Sequence, residues 1–447
     1  MKKLVAMFKN RDIMNRIVFT IMILLVFRIG AAVTVPGVTL SDDLSNAMNS
    51  TSALSLMNLL GGGALQNFSI FALGVSPYIT AQIIVQLLSM DVLPALSDLR
   101  KQGEYGRKKI EMTTRYLTLM LGAVQAYGII KMMENSSYVT LTTPDFWTYA
   151  YLVIVMMAGS MFVMWLGDQI TTKGIGNGIS MIIFTGIVVS LPNQIGTAYT
   201  KWITYNAGRD PSQLLTGVFQ FVLYILAFLA IIAFVIFIES SKRKIPVQSA
   251  GRSGGTAKMA SASFLPIKVN SAGVIPVIFA SSLLSAPSVV ASFISGDAAS
   301  ASWLKIFSIS ESFMMPGPDG STWPMPRGLL IYLTLVIVFT FFYSQMQINP
   351  EQMADNFQKN GSYIPGIRPG NETQRYISKV LNRVTFIGAL SLAFIAGLPV
   401  VLQLSGIFGA DSSLAFGGTG LIIVVGVALE LNNQINGLIA GKTYDNA

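Results

Sequence analysis

The chain has 447 residues, of which 52% are apolar and 11% charged, against roughly 25% charged in an ordinary soluble domain. It holds no Cys and no His, which excludes disulfides and thiolate metal sites and removes the usual proton shuttle and the commonest metal ligand, so no catalytic residue, metal site or cofactor is expected. The net charge of +9 would suit a nucleic-acid partner in a soluble protein, but in a membrane protein the placement of charges matters more than their sum.

Apolar runs of about 20 residues, each long enough to cross a hydrocarbon core of about 30 Å as a helix, recur from end to end. They predict spans near 17–36, 72–91, 115–134, 149–167, 178–197, 214–239, 270–293, 328–348, 380–402 and 417–439. The first run begins near Ile17, precedes no small-residue cleavage pattern and is one of many, so it reads as a retained span and not a removed signal peptide. Before the second run, residues 53–70 carry Gly61-Gly62-Gly63 in a moderately apolar stretch too short to span. Glycine permits sharp turns and weakens a helix, and non-helical backbone survives at membrane depth only inside protein or beside a water-filled cavity. A short re-entrant helix is the expectation, and an ordinary external loop is the alternative that composition leaves open.

With the N-terminus placed inside, 24 of the 30 Lys and Arg fall on the inner side and only Lys131, Lys201, Arg209, Lys305 and Arg327 on the outer, while Arg28 lies within the first span. The positive-inside rule then puts both termini in the cytoplasm. Ten spans divide into halves of five, and an odd number per half forces the second to enter the membrane in the opposite sense, as inverted-repeat proteins do. The expected fold is an all-α polytopic membrane protein of ten transmembrane helices in two inverted five-helix halves, 1–205 and 206–447, around a central path.

Two local signals carry no chemistry. GIGNGI (174–179) resembles a phosphate loop but joins two membrane spans, where a strand and a helix are required. Asp168 in LGDQ resembles an intramembrane aspartyl protease motif, yet Leu166 replaces its first Gly and no second Asp sits within a span. No G-x-x-x-x-G-K-[ST] motif occurs, so energy for transport must come from outside the chain.

Several stretches together resemble the SecY family of protein-translocation channels: FRIGAAVTVPGV (27–38), GGALQNFSIFALGVSPYITAQIIVQLL (62–88), MFVMWLGDQITTKGIGNGISMIIF (161–184), LPIKVNSAGVIPVIFASS (265–282), FFYSQMQINPEQMADNFQKNGSYIPGIRPG (341–370) and FGGTGLIIVVGVALE (416–430). The resemblance implies a clamshell of two halves around a pore whose waist is a ring of six aliphatic side chains: Val75, Ile79, Ile179, Ile183, Ile278 and Ile423. Branched aliphatic groups can surround an extended chain without hydrogen-bonding it, and a hydrophobic constriction resists ions by dewetting. The resemblance makes residues about 55–67, including Leu59, Leu60, Gly61, Gly62, Gly63 and Ala64, a short plug helix that closes the pore. It makes the seam between the second and third spans and the seventh and eighth a lateral gate opening to membrane lipids. There Gln86 and Asn270 are candidates for polar contacts, since membrane-buried amides bond across helices for about 0.6–2 kcal/mol; the alternative is that each satisfies a local backbone carbonyl.

The loops 240–268 and 349–380 become, by the same resemblance, the docking surface for SecA and the ribosome. Arg243, Lys244, Arg252 and Arg368 are the candidate contacts, with Arg368 projected by Pro365, Gly366, Pro369 and Gly370. Where many relatives carry a basic pair, this chain reads Gly254-Gly255-Thr256. The implied partners are SecE and SecG, SecA, the ribosome, SecDF, YidC and secretory preproteins, in the bacterial plasma membrane. The competing reading is a multi-span secondary transporter, but such proteins usually need ionisable groups at membrane depth to couple ions to substrate, and here only Arg28 lies well inside a span.

Overall fold

The computed structural model describes residues 10–41, 44, 58, 61–89, 93–141, 144–205, 211–249, 263–294, 306–307, 312–316, 322–404 and 418–445. Leu59, Leu60 and Arg252 lie outside them. The apolar runs form helices: α1 Arg11–Ala32, α2 Ser76–Leu88, α3 Pro94–Lys101, α4 Gly103–Asn135, α5 Phe146–Lys173, α6 Gly178–Tyr199, α7 Pro211–Ser240, α8 Ile275–Ile294, α9 Arg327–Gln347, α10 Pro350–Lys359, α11 Asn371–Leu404 and α12 Gly418–Asp445. Among the described residues, eight helices are long and apolar enough to cross a membrane, and α2 and the Ile275–Leu284 part of α8 are shorter apolar helices at the places of the second and seventh expected spans.

The helix boundaries have local causes. The second span was expected from residue 72, but α2 begins at Ser76, because Gly74 takes a left-handed backbone at φ +52° and Pro77 stands in the first turn, where its missing N–H costs no helix bond. Its 13 residues reach about 20 Å at 1.5 Å per residue, so the turns of 61–75 complete this part of the wall. Similarly α8 starts five residues into its expected span, after Gly273 at φ +65°. The GIGNGI segment ends as a helix cap: the Asn177 side chain accepts from the backbone N–H of Ile179 and Ser180, opening α6.

Without a hydrophobic drive between helices in lipid, small residues that let backbones approach hold a membrane bundle together. On α5, a Cβ at Gly159 would stand 2.0 Å from the Ile70 carbonyl oxygen, and on α6 one at Gly178 would stand 1.8 Å from that of Gly167. The neighbouring Ser160 hydroxyl donates to the Gly74 carbonyl at 2.9 Å. Polar staples join α4 to α5 near both ends. Lys131 and Glu134 pair at 2.9 Å, with the Tyr149 hydroxyl donating to Glu134 at 2.7 Å, and Arg115 pairs with Asp168 at 2.9 Å. Asp168 thus has a structural partner in Arg115.

The N-terminal helices α2 and α4 pack against α8, and α6 packs against α12, while α9 packs on α11 and α7 on α12. These contacts bring segments far apart in sequence around one apolar cluster. Beyond the helix ends, strands β1 (Val38–Leu40) and β2 (Val139–Leu141) pair antiparallel. A three-stranded sheet joins β3 (Lys242–Ser249) to β4 (Ser263–Lys268) on one side and to β7 (Ser362–Tyr363) on the other; β5 (Ser312–Pro316) and β6 (Thr322–Pro326) form a separate hairpin.

Gly159→Val should therefore destabilise the protein by at least the 1–3 kcal/mol typical of overpacking, because the obstructing atom is backbone. Gly196→Val, at a helical position with nothing within 4 Å of an added Cβ, should leave the thermal midpoint in detergent within a few degrees of the parent. Equal midpoints for the two variants would refute the close-packing account.

Candidate pore, plug and gate

The six aliphatic residues come from α6, α8, α12 and the start of α2, with Val75 at its N-cap. Val75, Ile79, Ile183, Ile278 and Ile423 are all buried members of one apolar cluster, and Ile179 packs against it, half-buried. Each is an ordinary membrane-helix aliphatic when taken alone. Their gathering from four separate segments is what the fold adds to the sequence.

Beside this cluster lies the glycine segment. Asn58 is helical, but Gly62 and Gly63 adopt left-handed backbone at φ +68° and +82°, so the helix expected over 55–67 does not run on to its end: residues 61–63 form a glycine turn, followed by a single 3-10 turn, Leu65–Asn67. The turn is closed by Gly63 N–H to the Asn58 carbonyl at 2.8 Å. It is seated by backbone contact: a Cβ at Gly186 of α6 would fall 2.2 Å from the Gly62 Cα, and one at Gly74 would fall 2.4 Å from the Gly61 Cα. Gly61, Gly62 and Ala64 are buried and Gly63 is half-buried. The chain that follows is tied to the end of α1, with Val35 N–H donating to the Phe68 carbonyl and Ile70 N–H to that of Val33, both at 3.1 Å. Ala64 belongs to the ring's cluster and Leu65 to a second one with Phe68, Leu73 and Ile130, so the segment bridges two apolar bodies.

The helices α2 and α4 both meet α8, and among the described residues three amides on or beside these helices have a buried oxygen without a hydrogen-bond partner: Gln86 on α2, Gln125 on α4, and Asn270 just before α8. Gln86 and Asn270 are not bonded to each other. The Asn270 amide donates to the Glu239 carboxylate at 2.5 Å and to the Gly273 carbonyl at 3.0 Å, both within 206–447. Asn270 thus combines the local-carbonyl alternative with a cross-segment bond to an unforeseen partner. A buried amide oxygen left unpaired costs about 1–3 kcal/mol.

Farther along, Arg243 and Lys244 stand exposed on β3, paired in register with Ile267 and Pro266 of β4. Because β3 also pairs with β7, through Gln248 to Tyr363 and Ser249 to Ser362, the two loops singled out in the sequence form one platform over a small core of Ile245, Ile267, Ile364, Ile377 and Leu381. Arg368 is exposed on it. Its turn is held by left-handed Gly366 and Gly370 and by the Thr373 hydroxyl donating to the Arg368 carbonyl at 2.9 Å.

The family model that matches the chain is SecY, over residues 69–432. The protein translocase subunit SecY of Streptococcus sanguinis is 44% identical over 439 residues, covering 98% of this chain and 96% of that one. The chain belongs to the SecY family. Two solved structures agree in fold, each covering 94% of this chain and 91% of its counterpart at 18% identity. One, with a TM-score of 0.64, is described as showing that the plug domain of SecY stabilises the closed state of the translocation channel and maintains a membrane seal. The other, with a TM-score of 0.61, is Sec61 in the canine ribosome-channel complex from the endoplasmic reticulum.

Within this SecY-family fold, sequence reasoning missed Gln125, Glu239 and Gly186. A lone amide or glycine in an apolar run gives no sign of which neighbour it meets, and Glu239 is simply the last residue of the expected span 214–239. Replacing Glu239 with Leu should cost about 1–3 kcal/mol, since it leaves the buried Asn270 amide without its side-chain acceptor, while Glu239→Gln, which keeps an acceptor, should cost less than half as much. Denaturant unfolding in detergent micelles measures both, and equal losses would show that the bond to Asn270 contributes nothing.

Proposed function

We propose that this chain forms the pore through which unfolded secretory polypeptides cross the bacterial plasma membrane, and that its side seam releases signal sequences and transmembrane segments into lipid. Protein conduction is the function of the SecY family to which the chain belongs. The observation that carries the reading is the gathering of Val75, Ile79, Ile179, Ile183, Ile278 and Ile423 at one apolar cluster beside a glycine turn. In this reading the aliphatic side chains are the pore ring, residues 61–64 belong to the plug, and residues 1–205 and 206–447 are the two halves of the clamshell. The seam of α2 and α4 against α8 is the lateral gate, and its unpaired amide oxygens favour a contact that opens at low cost.

A secondary transporter is the weaker reading, because Asp168 and Glu239, acidic groups near span ends, are engaged by Arg115 and Asn270. The excess of Lys and Arg on one side supports cytoplasmic termini and a cytoplasmic platform. On that face Arg243, Lys244 and Arg368 suit acidic protein or RNA phosphate, which Arg binds bidentately, so SecA and the ribosome are the expected docking partners. SecE and SecG are the expected membrane partners. The chain itself acts as a channel and not an enzyme, with energy supplied by the docked motor, by synthesis or by the membrane potential.

The chain is naturally Cys-free, which makes crosslinking direct. A secretory substrate stalled midway and carrying one Cys should form disulfides with Ile79→Cys and Ile278→Cys but not with Leu226→Cys, an exposed position on α7. Crosslinks at the α7 control with none at the other two would remove the pore assignment.

Arg368→Glu should slow SecA-driven export into reconstituted vesicles by about tenfold at equal channel abundance. Its effect on stability should stay within about 0.5 kcal/mol, as for exposed substitutions generally. Unaltered export would remove Arg368 from the docking surface.

A further inference from the structure

An intramembrane charge costs at least a few kcal/mol and persists where it has a purpose and a partner. Arg28 lies in the second half of α1, flanked by Phe27 and Ile29 in an apolar run. Among the described residues no carboxylate pairs with it. Its Nη1 donates instead to the carbonyl oxygen of Gly62 at 3.2 Å, and a Cβ at Gly63 would come within 3.7 Å of the same nitrogen. The guanidinium therefore lies against the two left-handed glycines of the turn.

The preceding residue addresses the same glycine. A Cβ at Gly62 would stand 2.7 Å from the Phe27 ring, which stacks on Phe71 with centroids 6.0 Å apart and planes 4° from parallel. Successive side chains of α1 thus grip Gly62, one by shape and one by charge. The turn's other hydrogen bonds run to its own neighbours in the chain, Gly63 N–H to the Asn58 carbonyl and the Ser69 N–H and hydroxyl to the Ala64 carbonyl, and travel with the segment; the bond from Arg28 reaches it from another helix, and a charge-assisted hydrogen bond depends steeply on distance and direction.

We propose that Arg28 is the latch of the plug: its bond to the Gly62 carbonyl holds residues 61–64 in their seat, and breaking that bond is the step that frees them. The inference rests on the reading of this segment as the closure of the pore. The guanidinium has five N–H donors, so after release it can donate to another carbonyl, and the carbonyls of a passing extended chain are groups of the required kind. Arg28 acts on the pore through the plug and is a positioning residue.

The test uses the full-length chain in lipid vesicles with Ala64→Cys, a buried position, and follows its labelling by a membrane-impermeant maleimide added on both sides. Arg28→Gln should raise the labelling rate about tenfold, a change that the loss of one charge-assisted bond can produce. Arg28→Lys, which keeps the charge but offers a compact ammonium in place of the planar fork, should raise it about threefold. Val163→Cys on α5, equally buried, should label at an unchanged rate in every background. An unchanged rate at Ala64→Cys, or an equal rise at both positions, would overturn the latch; if Arg28→Gln does not insert, the Lys variant decides alone. Bilayer recordings of a channel lacking residues 58–65 address the underlying reading separately. A silent deletion channel would show that the segment does not seal the pore, while the labelling result would still decide whether Arg28 holds it.

Discussion

A backbone that leaves helical geometry at membrane depth loses its internal hydrogen bonds, and lipid offers none in return. Residues 61–75 meet this constraint by pressing against other backbone. Gly61 lies on Gly74 and Gly62 on Gly186, while the segment's polar groups bond to Asn58, to Val33 and Val35 at the end of α1, and to Ser160 of α5. The short α2, its late start and the seat beside the aliphatic cluster all follow from that folded-back stretch. A longer α2 would have removed the turns and, with them, the occupant of the space beside Gly186.

The aliphatic cluster works under a different constraint. Hydrocarbon is already apolar, so burying Ile79 or Ile423 gains little from leaving lipid; dispersion and shape decide the packing. Side chains of that kind separate and close again without exchanging hydrogen bonds. The turn pressed against them is held by groups of the opposite character, a charged donor and backbone carbonyls, whose contacts are made or broken within a fraction of an ångström. In the proposed reading, a compliant waist and a discrete closure can therefore coexist in one site.

Much of the fold was legible in the sequence because membrane spans are long, uniform signals. The long helices from α4 onward, α8 excepted, overlie the apolar runs that predicted them. Departures cluster where one residue overrides a run: Gly74 and Pro77 delay α2, and Gly273 delays α8. The site was legible in part. Aliphatic positions could be named through the resemblance, and Arg28 stood out as a charge in an apolar span, but its partner could not be read because Gly62 is 34 residues away and contributes a carbonyl, which leaves no trace in composition. The same holds for Asn270, whose acceptor Glu239 lies 31 residues upstream across a β-hairpin.

That hairpin links the exposed platform to the seam. Strand β4 ends at Lys268, Val269 N–H donates to the Ser241 carbonyl at 3.0 Å, Asn270 bonds Glu239, and α8 begins five residues later. The chain from β3 to α8 is thus clamped at its root, where α7 ends, so the platform and the first turn of α8 share one anchor. Asn270 at this anchor, like Gln86 on α2 and Gln125 on α4, leaves its amide oxygen unpaired. Costs of about 1–3 kcal/mol per unpaired group are comparable to the few kcal/mol that separate two populated states. In the proposed gate, the root of the hairpin is held by the Val269–Ser241 and Asn270–Glu239 bonds, so the contact of α2 and α4 with α8 is the part expected to yield before the anchor.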